Sequence, residues 1–513
     1  MIIYIVVFVL YFLFIIITAL RSTKKVETMT DFTTGGNKMG LLLGVGTSIA
    51  TWVSVASVMG VPGNIYSRGV CAVFGWVAGW FLATALMPLI AYKIRRPEVP
   101  TRTFPEYMRL RYDPFSEKSP IQIFAAIIEL VGYFIFSYIQ VQGFGIVFST
   151  ITGLSFNISV LFFMAILIFT CLGGFESVAA TDTLNAAFIL VGVAAAMVSV
   201  LDNTGGLGNI MQNFVTTTAP AVEGQAPLIA GILGTPWGTF GASALISIFM
   251  SNCLGSTVAP HWVSRFMAPR NAKTASLQMF VVLLVLIAIF IPLITIGMGA
   301  KMLIPSLPAD KTTDYIFPTL IVNYCPPLLG ALALTAICAA AVSTANSMLL
   351  HCSTSLIYDI KRVIQGKGAS VEEDKKTTKE LRIAILSLGI LAVFCSMGQF
   401  SLLAMGFTYV YGAFGAVFFV PVWLGVYWKR MNHLGAFISM IAGLIAYMYC
   451  MRFGVPFGLP AFLFSVICAT IGGIIGVAVG KKPPLEAYEQ FFSDKPSAKS
   501  LEAAHRIRRD VIV

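Results

Sequence analysis

The sequence predicts an all-α polytopic membrane protein, and three observations carry that prediction. Of 513 residues, 57% are hydrophobic and only 11% are charged, with a mean hydropathy of +0.85. A soluble globular protein carries about 25% charged residues, so this chain lacks the charge to coat a water-facing surface. Its charge is also clustered: no Lys or Arg lies between Lys118 and Arg265, and none between Arg382 and Lys429. Apolar runs separated by polar turns recur from end to end, near the ~20 residues a helix needs to cross a bilayer.

Thirteen spans follow, with limits near 2–20, 41–66, 70–92, 121–149, 156–174, 177–201, 229–258, 275–301, 320–356, 383–400, 402–428, 433–451 and 459–480. The first lacks the basic flank of a secretory signal, and Arg21-Ser22-Thr23-Lys24-Lys25 follows it instead of a small-residue cleavage site. It is read as a retained helix. Placing the N-terminus outside puts nearly all the basic residues inside, in groups around Arg21–Lys38, Lys93–Lys118, Arg265–Lys273, Lys361–Arg382, Lys429–Arg430 and Lys481–Arg509. Of 34, only Arg68, Lys301, Lys311 and Arg452 fall outside. The positive-inside rule therefore favours N-out and C-in, in a cell membrane crossed many times. The net charge of +11 is explained by anchoring at the inner membrane face, so no nucleic-acid partner is implied.

Other chemistries leave no trace. The nine cysteines, among them Cys71, Cys171, Cys253, Cys338 and Cys395, show no CxxC spacing and read as small buried hydrophobes. His261, His351, His433 and His505 form no ligand-spaced pair, and no GxxxxGK[ST] loop offers a nucleotide site. No His-Asp-Ser set or paired carboxylates at helical spacing suggest an enzyme. The tail after Lys481 is too short for a second domain, and nothing points to an obligatory protein partner.

Two spans are interrupted. The second runs through Thr47-Ser48-Ile49-Ala50-Thr51-Trp52-Val53-Ser54 to Met59-Gly60-Val61-Pro62-Gly63. The seventh opens with Gly234-Thr235-Pro236-Trp237-Gly238 and carries Ser251-Asn252-Cys253-Leu254-Gly255-Ser256 deeper in. Five spans apart, they cross in opposite directions, as an inverted repeat requires, and such paired breaks point to a transporter's binding site. Close packing of small residues explains the same glycines equally simply. Residues 339–347, AAAVSTANS, sit inside the ninth span, where Ala340, Ser343, Thr344 and Ser347 share one helix face. Uncharged oxygens suit a hard monovalent cation, whereas zinc would favour nitrogen or sulfur. Interhelical hydrogen bonding is the alternative, worth about 0.6 kcal/mol for each contact.

The ordered motifs resemble those of the sodium/solute symporters, the family of the bacterial proline and pantothenate symporters and the sodium–glucose cotransporters. Gly35-Gly36-Asn37-Lys38-Met39-Gly40 is similar to its GGRxxG, and Ala50–Gly63 to its first core helix with the closing MGxPG. Gly173-Gly174-Phe175 with Thr181-Asp182-Thr183 resembles GGFxxxxxTD, and Pro260-His261 with Arg265-Phe266-Met267-Ala268 resembles PHxxxRFMA. Ala340–Asp359 looks like the eighth core helix and Gly412–Arg430 like the tenth. The resemblance implies a LeuT-type 5+5 inverted repeat with an extra N-terminal helix. It divides the chain into that helix (1–30), the two repeats (31–201 and 202–430), two further helices (431–480) and a basic tail (481–513).

Carried over residue by residue, the resemblance implies Na+ as coupling ion, held by backbone oxygens of Ala50, Val53 and Ala340 and hydroxyls of Ser343 and Thr344. Some relatives form a second ion site, which here maps to Asp182, Ser343, Asn346 and Ser347, with an Asn carbonyl where the pattern has Ser. Asp182 also has a structural reading, because its span limits place it near the inner face. Trp52, Ser54, Ser57, Trp76, Asn252, Ser256 and Tyr409 are the candidate substrate contacts. Glu129, roughly 12 Å into the fourth span at helical rise, stays open among substrate contact, pairing with a basic residue and proton exchange. The implied activity is import of a small polar organic solute: an amino acid such as proline, a pantothenate-like carboxylate, or a sugar. A proton-coupled symporter of the same fold is the alternative, and a solute sensor or receptor a more distant one. The DMSGW of the proline transporters is replaced here by Trp52-Val53-Ser54-Val55-Ala56, and no arginine in the fourth span could clamp a carboxylate.

Overall fold

The computed structural model describes residues 2–23, 29–170, 174–365, 371–398 and 403–508. Lys24, Lys25, Cys171, Gly173 and Arg509, which entered the sequence reading, lie outside the described residues. Helices follow one another in the order α1 (Ile2–Thr23), α2 (Leu41–Trp52), α3 (Gly60–Arg68), α4 (Gly79–Ile94), α5 (Phe104–Tyr112), α6 (Pro120–Thr152), α7 (Phe156–Thr170) and α8 (Gly174–Thr204). The chain continues through α9 (Ala242–Met250), α10 (Pro260–Met267), α11 (Ala272–Leu303), α12 (Ile316–Tyr324), α13 (Pro327–Thr354), α14 (Val371–Ser396) and α15 (Leu403–Tyr427). It ends with α16 (His433–Phe453), α17 (Ala461–Val479), α18 (Leu485–Phe492) and α19 (Ala498–Arg508). Among the described residues nine helices are long and apolar enough to cross a membrane, or ten if the bent pair across residues 41–68 is one span. Helices also occupy the first, fifth and tenth predicted segments, as α1, α7 and α14.

Local chemistry sets the helix ends. Ser119, Thr103, Asn271 and Asn432 cap α6, α5, α11 and α16 by accepting a backbone N–H of the first turn. Gly153 closes α6 in the left-handed conformation, at φ +70°. Within the bilayer the helices bury small-residue faces and leave Leu, Ile and Phe on the outside, such as Leu10, Val131, Ile291 and Ile475. That is the arrangement expected where lipid replaces water. The most buried span is the one containing α13, which packs along α8, α6 and α14.

Three predicted spans need correction. The seventh was set at 229–258, yet residues 235–241 are irregular and the membrane helix covers Ala242–Met267. Gly234, Pro236 and Gly238 end regular structure before the helix begins, so they are not an interruption within it. The real distortion is a π-helical stretch at Ser251–Gly255 followed by a non-helical step near Val258. The second span bends by 59°, but at Val53–Ser54, six residues ahead of the Met59–Gly63 cluster. Pro62 is harmless near the start of α3, where a missing N–H costs nothing. The ninth span starts at Pro327 and not at 320, because Cys325-Pro326-Pro327 separates the short α12 from α13.

The π-helical stretch positions a backbone contact. A Cβ on Gly255 would lie 2.2 Å from the carbonyl oxygen of Tyr411, and one on Gly415 would lie 2.7 Å from the Cα of Gly255. Two facing glycines therefore let this helix and α15 touch along their backbones. Gly255→Val should lower the unfolding temperature in detergent, measured by scanning fluorimetry, by an amount matching about 1–3 kcal/mol of overpacking. Gly40→Ala, where a Cβ meets nothing within 4 Å, should not.

Candidate functional site

The break at Val53–Ser54 strips α2 of the partners for its last carbonyls, and the rest of the fold replaces them. Val53 leaves helical conformation at φ −92°, ψ 76°, and Ser54 is extended. Ile49 O keeps a backbone partner in Val53 N–H, and Trp52 O accepts from Ser57 Oγ at 2.9 Å. Ala50 O turns to α13: Ser343 Oγ donates to it at 3.0 Å and Thr344 Oγ1 at 3.4 Å. Ser343 Oγ also lies 3.2 Å from Ala340 O. Beyond the break, the N–H of Val55 donates to Gln140 Oε1 on α6 at 3.3 Å. Four of the five predicted sodium ligands thus form one cluster of uncharged oxygens, and Val53 supplies the kink beside it. All five are buried.

Asp182 joins a different cluster. Its Oδ2 accepts from Thr47 Oγ1 at 2.7 Å, and Arg265 Nη2 stands 3.6 Å away. The same Nη2 donates to Thr51 Oγ1 at 2.5 Å, Ser347 Oγ at 3.0 Å and Thr47 Oγ1 at 3.3 Å. Arg265 is 1% exposed and Asp182 is fully buried. A guanidinium therefore ties together α2, α8, α10 and α13 at a place the sequence assigned in part to a second ion. Asn346, the remaining member of that set, is buried on α13.

The candidate substrate residues divide in two. Trp52, its ring 4.7 Å from Trp262 and 6.2 Å from Trp80, walls the break, and its Nε1 is buried without a hydrogen-bond partner among the described residues. Trp80 Nε1 donates to Asn252 Oδ1 at 2.9 Å; Trp76 Nε1 donates to Thr408 Oγ1 at 3.0 Å, and Asn252 Nδ2 reaches the same hydroxyl at 3.3 Å. Trp76, Asn252 and Thr408 thus bridge the second predicted repeat to the first. Ser54, Ser57 and Ser256 are also buried. Tyr409 is not in this group: it is 42% exposed on the outer side of α15, where its carbonyl accepts from Tyr447. The inward positions on that helix are Thr408 and Tyr411. Glu129 pairs with neither a basic residue at the membrane face nor a residue of the break; its partner is His351 on α13, at 2.9 Å.

The profile of the sodium:solute symporter family matches residues 32–443. The chain belongs to that family. It is 24% identical to the sodium/pantothenate symporter of Haemophilus influenzae, over 89% of this chain and 91% of that protein. It is 25% identical to the sodium/proline symporter of Escherichia coli, over 92% of both. A solved Na+-coupled sialic acid symporter, substrate-bound and outward-open, superposes with a TM-score of 0.75 over 94% of this chain and 98% of its own, at 20% identity. The nucleobase-cation symporter Mhp1 in a closed conformation follows at 0.58 and 13% identity. The fold is thus that of LeuT-type transporters, and this is a membrane transporter and not an enzyme.

Several residues of the site escaped the sequence reading. Gln140, Thr408 and His351 were given no role, and Thr47, Trp262 and Arg265 were read only as parts of longer stretches. The Arg265–Asp182 pair makes a direct prediction. Asp182→Ala leaves a buried guanidinium unpaired and should cost about 3–5 kcal/mol, read as a lower unfolding temperature in detergent. Asp182→Ala combined with Arg265→Met should recover part of that loss.

Proposed function

We propose that the chain is a sodium-coupled symporter that imports a small polar organic solute, and that Na+ binds where α2 ends against α13. The carrying observation is the approach of Ser343 Oγ to Ala50 O at 3.0 Å, which joins residues 293 positions apart across the bend in the second span. Two oxygens that close, with Ala340 O at 3.2 Å from the same hydroxyl and Thr344 Oγ1 at 3.4 Å from Ala50 O, can turn to one cation. The carbonyls of Ala50, Val53 and Ala340 and the two hydroxyls are its proposed ligands. An ion there would hold the α2 end to α13 and fix the break, which is where a solute would meet Trp52, Ser54, Ser57, Asn252 and Ser256.

One Na+ is proposed for each cycle. Arg265 contributes, beside Asp182 and Ser347, the positive charge that a second ion would bring. A single Na+ entering with the membrane potential gains about 2.3 kcal/mol per 100 mV, in addition to its concentration gradient. The relatives' substrates, proline and pantothenate, set the solute class to try first. Among the described residues the buried site contains no arginine besides Arg265, which is engaged with Asp182 and three hydroxyls, and this favours a solute whose polar groups are met by hydroxyl, amide and indole donors. The 5+5 repeat and the N-out, C-in orientation are part of the same proposal.

Uptake of labelled L-proline, pantothenate and sialic acid into proteoliposomes, with and without an inward Na+ gradient, tests it. The expected result is accumulation of one of them above equilibrium with Na+ only, with a Hill coefficient for Na+ near one. Ser343→Ala with Thr344→Ala should weaken Na+ dependence by more than tenfold. Unchanged dependence would place the ion elsewhere, and a Hill coefficient near two would restore the second site. For orientation, in a background without native cysteines, Phe457→Cys should react with an impermeant maleimide on intact cells. Lys499→Cys should react only after permeabilisation.

A further inference from the structure

Glu129 on α6 and His351 on α13 lie 222 residues apart in sequence, and Glu129 Oε1 stands 2.9 Å from His351 Nδ1. The residues are 1% and 7% exposed and lie within the membrane spans Pro120–Thr152 and Pro327–Gln365. Ser355 approaches the same carboxyl group without completing hydrogen-bond geometry, so Oε2 has no partner among the described residues. Ionisable side chains so placed in a membrane span are expensive to keep, and they usually mark a pathway for ions or protons. Neither group belongs to the cluster around Ala50 and Ser343.

The pair has a simple charge logic. With one proton between them it is neutral overall, either as carboxylic acid beside imidazole or as carboxylate beside imidazolium. Losing that proton strands a negative charge, and adding a second strands a positive one; each is costly in a dry interior. The pair therefore holds one proton while the core is closed and exchanges it when water reaches it. Imidazole and carboxyl are also groups whose proton affinity the surroundings can carry across neutral pH.

The surroundings tie the pair to the broken helix. Tyr133, one turn beyond Glu129, places its ring 5.3 Å from His351. Its hydroxyl accepts from the backbone N–H of His261 at 2.7 Å and also hydrogen-bonds His261 Nδ1 at 2.7 Å. Arg265, one turn further along α10, donates to Ser347 on α13. The charged and titratable groups acting on the pair are Cys352 on α13, Asp359 in the π-helical stretch that continues it (Ser355–Arg362), Tyr133 on α6, and His261 and Arg265 on α10, with Tyr411 of α15 acting through Tyr133.

We propose that Glu129 and His351 form a proton-binding site, separate from the sodium site, that loads and unloads one proton as the core opens to the two sides of the membrane. The transporter then responds to the proton gradient as well as to Na+, whatever its solute. The test is infrared difference spectroscopy of the full chain in detergent, titrated between about pH 5 and 8, in NaCl and again in choline chloride. The wild type should show a carboxylic-acid C=O band that fades as pH rises. Glu129→Gln should lose that band, and His351→Gln should shift its midpoint. Exchanging choline for Na+ should move the midpoint by about 0.5 unit or more, which by linkage is about a threefold change in Na+ affinity. A band that ignores pH, persists in Glu129→Gln or ignores Na+ would overturn the proposal. If Glu129→Gln does not elute as a folded monodisperse protein, His351→Gln alone decides, since an unchanged midpoint there also overturns it.

Discussion

Every backbone polar group in a bilayer must find its partner inside the protein, and this structure is organised around the place where a helix fails to supply one. At Val53 the second span stops being a helix. From that point Ala50 O depends on hydroxyls that arrive from residue 343 onward, and Val55 N–H depends on an amide from residue 140. Such a kink cannot form alone. It needs α13 and α6 already beside it, and that in turn requires the small-residue faces of α8 and α13 to pack closely. A local loss of regular structure thus specifies which distant helices must meet.

Much of this was legible from the sequence, and the limits of that legibility are physical. Hydropathy and the clustering of charge located the helices, since a bilayer imposes a length and a solvent on each. The polar run at 343–347 announced itself against an apolar background. The break was misplaced because Gly and Pro were taken to mark it, whereas Met59–Gly63 tolerates a helix start and Val53 carries no such sign. A backbone can leave a helix wherever distant groups will satisfy it, and those groups are not local. The same reason hid His351. A histidine in an apolar helix says nothing until another helix brings a carboxylate within reach. Tyr409 shows the converse error, since a helix register shifted by one residue exchanges an inward side chain for a lipid-facing one.

Charge inside the bundle is managed in two different ways. Arg265 and Asp182 form a buried guanidinium–carboxyl contact, braced by three hydroxyls from two other helices, and it acts as a fixed joint. Glu129 and His351 can lose or redistribute their charge by moving a single proton. One pair resists change and the other accommodates it, and both contact α13. That helix is consequently the element on which the sodium ligands, the fixed joint and the titratable pair all report.

The folded tail has a practical consequence. Phe491 of α18 packs edge-on against Tyr107 of α5, with ring centroids 5.6 Å apart, and Arg96 pairs with Asp494. Glu106 of α5 and Arg102 just ahead of that helix hydrogen-bond the hydroxyl of Tyr358, in the π-helical continuation of α13. The last described residues are therefore mechanically continuous with the helix that carries Ser343. A purification handle or fluorescent fusion spliced in before residue 508 would load that linkage directly, so instrumented versions of this protein are better built by extending the chain than by shortening it.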